Sequence, residues 1–448
     1  MTKRFHITTF GCQMNEYDSS KVANILAPVG YIRTDEIREA DLILINTCSV
    51  REKAEQKVYS LLGRLKRFKQ RKPSTLIGVG GCVAQQKGES LLDRVGHLDF
   101  VFGTHAFFDL PQILAELSNG TKRLCYTDLH YRFEENPAAQ PGSACETGVK
   151  GLITIMRGCD NFCTFCVVPY VRGREVSRSA ESILNEATGL LRAGVKEITL
   201  LGQNVNSYLS PDEQLGFSEL LERMNELDGL QRIRFTTSHP KDLSPALVSA
   251  FGRLSKLCPH IHLPLQSGSN RILKRMNRRY TREDYLTKIE DLRKVCPDIS
   301  ITTDLIVGFP GESEEDFQET LDMLQMVKFD GAFSFKYSDR VPAKAVRFED
   351  KISEETKSRR LRSLQAIQKK ITMERNMRFE RRIEWVLVES RNKRNPLQLT
   401  GRIAGNQIVN FEGSEDLIGQ IVPIRIEEGL LHSLRGRPAL FTCQGGAP

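Results

Sequence analysis

"GCDNFCTFC" (Gly158–Cys166) sets three thiols within nine residues of a 448-residue chain, and the setting of this stretch decides the fold. Cysteines so close together do not readily reach bridging geometry with one another. Iron–sulfur clusters are held by cysteine thiolates, and four fill every iron site of a cubane. Cys159, Cys163 and Cys166 supply three, which leaves one iron open to a small ligand. Zinc competes for such a run, but structural zinc takes four ligands. No fourth Cys or His stands nearby, and His105 and His130 belong to an earlier part of the chain.

Working outward, the stretch follows an apolar run at Gly151–Met156. Further runs come at Glu197–Leu201, Arg232–Thr236, His260–Leu265, Ile299–Val307 and Ala332–Tyr337, with helical patterns between. Six strand–helix units in this span predict a partial TIM-type (β/α)6 barrel, whose chemistry sits at the carboxyl ends of the strands. The segments after the strands, such as "GQN", "SHP", "QSGS" and "GFPGES", are polar and glycine-bearing, as close backbone approach requires.

Upstream, runs at Arg4–Phe10, Leu42–Asn46 and Thr75–Gly80 alternate with helical patterns at Ser20–Leu26 and Ala54–Phe68, predicting an α/β domain with a parallel sheet. Each strand ends in a cysteine: "TTFGC" at Cys12, "LINTC" at Cys48 and "GVGGC" at Cys82. Strand ends of an open α/β sheet share one rim, so the three thiols are expected to meet there. Buried thiols acting as small apolar groups are the weaker reading. The remaining cysteines, Cys125, Cys145, Cys258, Cys296 and Cys443, share no spacing and read as structural or incidental.

Residues 133–148, rich in Pro, Gly and Ala, read as a linker. Residues 351–376 read as a basic linking helix. Short β runs over 377–442, divided by Gly and Asn, predict a small antiparallel OB-like barrel. The expected domains are therefore 1–132, 149–350 and 377–442. Nothing resembles a signal peptide, and no apolar run approaches the roughly 20 residues of a membrane span. A cytosolic location with no membrane partner is expected. In a reducing compartment the 11 cysteines favour metal binding or catalysis over disulfides.

The Cys-x3-Cys-x2-Cys loop after the first barrel strand, with Phe165 before its third cysteine, resembles the radical S-adenosylmethionine (SAM) superfamily. With Cys12, Cys48 and Cys82 in a flavodoxin-like domain and a TRAM-type terminal barrel, nearly the whole chain resembles the methylthiotransferases. "CVVPYVRGREVSR" (Cys166–Arg178), "LLGQNVNSY" (Leu200–Tyr208), "TSHP" (Thr237–Pro240) and "LPLQSGSNRIL" (Leu263–Leu273) look like the tRNA-modifying branch. The chain departs from the family after the last barrel strand, where a Pro-Gly-Thr-Pro loop is common and "SDRVPAKA" (Ser338–Ala345) stands instead.

The resemblance implies two [4Fe-4S] clusters: an auxiliary one on Cys12, Cys48 and Cys82, and the radical SAM cluster on Cys159, Cys163 and Cys166. It further implies methylthiolation of C2 of N6-isopentenyladenosine next to the tRNA anticodon. SAM would serve both as methyl donor and as source of the 5′-deoxyadenosyl radical. Phe165, Gly202, Gln203, Asn204, Ser238, Gln266 and Asp304 are candidate SAM contacts, and those at strand ends equally suit caps and turns. An electron donor protein such as a flavodoxin or ferredoxin is implied. The alternatives are a methylthiotransferase acting on threonylcarbamoyladenosine or a ribosomal protein, and a non-catalytic, cluster-stabilised RNA-binding protein. Two incomplete triads argue against the last, because a structural cluster is normally fully ligated.

The formal charge is +8, but its distribution says more. Residues 51–72 hold nine basic against two acidic side chains, 271–282 six and none, and 351–375 eight and three. With the OB-like barrel, these runs predict a phosphate-binding surface for an anticodon stem-loop. Because the terminal barrel lacks a cysteine triad, its loss is expected to harm RNA binding far more than cofactor cleavage.

Overall fold

The computed structural model describes residues 2–49, 52–129 and 148–439. His130, Cys145, Cys443 and all but the last residue of the expected linker lie outside them. Strands β1 (Lys3–Thr9), β2 (Tyr31–Arg33), β3 (Leu42–Thr47), β4 (Leu76–Gly81), β5 (Phe100–Phe102) and β6 (Leu124–Tyr126) form one sheet in the order β2-β1-β3-β4-β5-β6. Every pairing is parallel. Alternate residues of a strand face opposite sides, and β3 shows the effect. Ile43 and Ile45 pack with Val58, Leu61 and Leu65 of the helix Glu52–Arg71, whereas Leu42 and Leu44 pack with Val22 and Leu26 of the helix Gln13–Leu26. The result is the expected flavodoxin-like arrangement.

The second domain contains β7 (Lys150–Thr154), the short antiparallel pair β8 (Met156–Arg157) and β9 (Val176–Ser177), β10 (Glu197–Leu201), β11 (Arg232–Thr236), β12 (His260–His262), β13 (Ser300–Val307) and β14 (Gly331–Lys336). Parallel sheets β11-β10-β7 and β12-β13-β14, joined through a parallel bridge between Ile233 and Leu257, make a six-stranded partial barrel. The fourth strand is shorter than the sequence predicts. Pro264 brings no N–H to the ladder, and Leu265 N donates to the Thr303 hydroxyl at 2.9 Å instead of to a backbone carbonyl.

The helix Glu354–Met377 leads to β15 (Ile383–Arg391), β16 (Gln398–Arg402), β17 (Ile408–Glu412), β18 (Ile421–Gly429) and β19 (Leu434–Pro438), which close a barrel in the order β15-β16-β17-β19-β18. This barrel sits at the start of the second domain's strands. Buried Arg232 donates to Arg402 O and Trp385 O, both at 2.7 Å, and buried Arg234 to Ala404 O at 2.8 Å and Ile403 O at 3.0 Å. Lys150 pairs with Glu389 at 2.7 Å. The terminal domain is therefore no loosely tethered arm. Its removal uncovers two arginines together with Glu197, 3.0 Å from Arg234, so the expectation that truncation spares the cofactor half does not survive this geometry.

Candidate cluster and cofactor site

Both cysteine triads open onto one cavity of about 670 Å³ that runs through the partial barrel, with the triads at the carboxyl ends of its strands and Lys150, Glu197, His260 and Arg402 lining its other end. The sheet rim of the first domain supplies Cys12, Cys48 and Cys82, at the ends of β1, β3 and β4. The loop after β8 supplies Cys159, Cys163 and Cys166. Glycines allow the approach. Gly11 has φ +147°, and a Cβ there would lie 2.6 Å from the Cys48 Cβ. Gly158 has φ +76°, and a Cβ there would lie 1.9 Å from the Arg174 carbonyl oxygen.

The domains are locked together around this cavity. The helix that begins after Cys12 packs Met14 and Tyr17 against Leu201 and Leu152 of the barrel. Tyr17 donates to Glu186 at 3.2 Å, and Lys21 and Arg178 pair with the same carboxylate. Loop 338–345 also spans the junction: Ala343 packs with Cys82, Val167 and Val171, and the Gln86 amide donates to Val341 O. The loop that departs from the family pattern thus supports both cysteine sites.

Each triad has a buried guanidinium. Arg278 donates from Nη1 to Cys163 Sγ at 3.4 Å and from Nη2 to Pro264 O at 2.8 Å. Arg172 lies beside Cys82 and Cys12, and burial outside water is offset by these thiols and by Asp18. Cys12, hydrogen-bonded to the Cys48 side chain and facing Arg172, is pulled down to about 6 against the effect of burial. Burial pushes Cys159 up to about 11, Cys166 up to about 12 and Cys82 upward. Metal ligation requires deprotonated thiols, so loading the barrel triad is costly in protons.

Among the described residues no three Cys, His, Asp or Glu converge tightly enough to hold a single ion. A cluster spreads its thiolates over several irons, whereas zinc gathers its ligands at about 2.3 Å from one centre. An all-cysteine donor set suits a cluster. Ser49 Oγ, next to Cys48, is buried without a partner, a further group that a sulfide-bearing cluster would satisfy.

Of the candidate SAM contacts, Phe165, Gly202, Gln203, Ser238, Gln266 and Asp304 line the cavity, and Asn204 does not. Asn204 lies behind the wall, with its amide bound to Asp242, Ser207 and His239. Gln203 reaches back to the cysteine loop, its Oε1 accepting from Gly158 N at 2.6 Å. Sequence reasoning misses Arg172, Arg278 and His239. Arg278 stands in the basic run 271–282, where a solvated helix face is the competing reading, and Arg172 stands inside the Cys166–Arg178 motif with no signal of its own. The "SHP" segment does point to the cavity, and its histidine lines it beside Ser238.

Three family models match the chain: the uncharacterized protein family UPF0004 over residues 4–103, the radical SAM superfamily over 153–324 and the TRAM domain over 378–439. A tRNA-2-methylthio-N(6)-dimethylallyladenosine synthase from Syntrophus aciditrophicus is 53% identical over 97% of this chain and 94% of its own length. One of the same name from Geobacter sulfurreducens is 50% identical over 99% of each. Among solved structures, the radical S-adenosylmethionine methyltransferase TsrM from Kitasatospora setae, with cobalamin and a [4Fe-4S] cluster bound, superposes with TM-score 0.57 over 75% of each chain at 13% identity. That likeness bears on the fold alone.

Proposed function

The chain belongs to the family of tRNA-2-methylthio-N(6)-dimethylallyladenosine synthases, and from that premise we propose that it adds a methylthio group at C2 of N6-isopentenyladenosine beside the tRNA anticodon, with the six cavity cysteines as its cluster ligands. The observation that carries this reading is the meeting of two incomplete thiol triads, from two domains, at one cavity. When bound, two [4Fe-4S] clusters and SAM supply the one-electron and sulfur chemistry that side chains lack.

The chain's own part is holding, orienting and shielding. Cys159, Cys163 and Cys166 hold one cluster, and Cys12, Cys48 and Cys82 the other. Arg278 fixes the Cys163 thiolate through a charge-assisted bond. His239 stays neutral, because burial pushes it down to about 2. Its Nδ1 accepts from Lys241 N at 3.2 Å, so Nε2 carries the hydrogen. This unpartnered donor and the unpartnered Ser238 hydroxyl are suited to polar groups of SAM or the target nucleoside.

The tRNA is best met by the helix Glu52–Arg71. Its Lys57, Arg64, Lys66, Arg67 and Arg71 stay exposed and enter no ion pair among the described residues. The chemistry needs a one-electron donor, for which a flavodoxin or ferredoxin is proposed. A cytoplasmic setting agrees with free thiols at the described cysteines; no helix among the described residues is long and apolar enough to cross a membrane. Mass spectrometry of digested tRNA from cells lacking the enzyme tests the reading. The wild-type gene should restore the 2-methylthio nucleoside, and Cys12→Ala/Cys48→Ala/Cys82→Ala should not. A methylthio group found instead on threonylcarbamoyladenosine or on a ribosomal protein overturns it.

A further inference from the structure

Arg172 belongs to the second domain, six residues beyond Cys166, yet its side chain serves the first. The guanidinium is buried. Nη2 donates to Asp18 Oδ2 at 3.3 Å, and Asp18 lies on the helix that starts after Cys12. The guanidinium also faces the thiols of Cys82 and Cys12, with a side-chain hydrogen bond to Cys82, and lines the same cavity as Cys12, Cys48 and Cys82. The backbone is gripped from the first domain as well: the Thr104 hydroxyl donates to Val171 O at 2.6 Å, and His105 Nε2 to Arg172 O at 3.1 Å. Arg157, also from the second domain, stands 3.9 Å from Asp18.

We infer that Arg172 is a positioning residue for the cluster on Cys12, Cys48 and Cys82, lending it a positive charge across the domain junction and setting its reduction potential. The inference rests on reading those cysteines as cluster ligands. A cluster held by thiolates is anionic, and reduction adds a further negative charge. A buried cation and an N–H aimed at its sulfurs stabilise the reduced form and raise the potential. Asp18 opposes this by neutralising part of the guanidinium charge. The barrel triad differs, because its arginine, Arg278, comes from its own domain. The auxiliary site is therefore assembled only when the domains are docked, and the segment 166–172 carries a ligand for one site and a cation for the other.

The test uses the full chain with Cys159→Ala/Cys163→Ala/Cys166→Ala, in which only the first-domain site is loaded. Iron content is measured first, and absence of iron here defeats the underlying ligand reading before Arg172 is touched. Redox titration followed by electron paramagnetic resonance then compares Arg172→Gln and Asp18→Asn in this background. Arg172→Gln should move the midpoint negative, with at least a tenfold fall in the reduced-to-oxidised ratio at fixed potential, about 59 mV for one electron. Asp18→Asn should move it positive. A merely structural role predicts no such opposition of sign. An unmoved midpoint in a loaded variant, or shifts in the same direction, overturns the inference. If Arg172→Gln does not load iron, the direction in Asp18→Asn decides alone.

Discussion

Asn204 uses both ends of one amide. Nδ2 donates to Asp242 Oδ2 at 2.7 Å and Ser207 Oγ at 2.9 Å, and Oδ1 accepts from His239 N at 3.0 Å. Asn204→Ala leaves a buried backbone N–H unsatisfied, which costs about 1–3 kcal/mol. Calorimetry should show a lower unfolding temperature, while the iron content stays that of the wild type. Titration of buried groups gives a second expectation. His239, at about 2, and His260, well below its ordinary value, are both depressed by burial. Below about pH 6.5 the unfolded chain protonates both and the fold does not, which lowers stability as pH falls. Glu175 and Glu312, pushed up to about 7 by burial, act oppositely: below about pH 7 the fold binds protons that the unfolded chain binds only near pH 4.3. Two groups against two leave stability nearly flat between roughly pH 4.5 and 6.5 for these four. Glu175→Gln removes one compensating proton, so urea unfolding across this window should then show stability decreasing as the pH is lowered.

At the scale of elements, the three basic runs separate. In 271–282, Arg271 pairs with Asp316, Arg275 with Asp350 and Arg282 with Glu319, and Arg278 is buried. In 351–375, Lys351, Lys357, Arg359, Arg360 and Arg375 all have carboxylate partners. Those runs mainly hold the fold together. The helix Glu52–Arg71 keeps its charge for a partner. Replacing Lys57, Arg64, Lys66 and Arg67 by Gln should weaken tRNA binding and flatten its salt dependence, in proportion to the number of phosphates that are no longer neutralised. Filter binding over a salt series checks this, and Arg271→Gln should instead lower thermal stability. Sequence alone does not separate these runs, because ion pairs join residues far apart in the chain. Periodicity and the repeated strand-end cysteines made the sheet, the barrel and both triads legible. Tyr31–Arg33, Phe100–Phe102 and Leu124–Tyr126 are too short to show an alternation, and β19, "LRGRP", lacks an apolar run. Buried arginines such as Arg172 carry no local signature of burial.

For the whole molecule, two triads predict two cubanes, about eight irons per reconstituted chain. Replacing either triad by Ala should leave about four; eight irons after loss of Cys12, Cys48 and Cys82 would place the second cluster elsewhere. A chain ending at residue 376 should be destabilised throughout the barrel, since Arg232 and Arg234 lose four backbone acceptors. Its thermal unfolding should shift down and its iron content at Cys159, Cys163 and Cys166 should fall. Full stability of that truncated chain would show that the interface is dispensable.

Those same arginines impose a timetable on biosynthesis. Arg232 and Arg234 leave the ribosome 170 residues ahead of their acceptors on Arg402 and Ala404. At about 5–20 residues per second, the nascent barrel waits roughly 10–30 s with its underside unsealed. The whole second domain is synthesised before the charges at its base find their permanent partners. Iron delivered during that interval would meet a barrel whose base is still open, so a cluster is expected to settle only once the terminal barrel has docked.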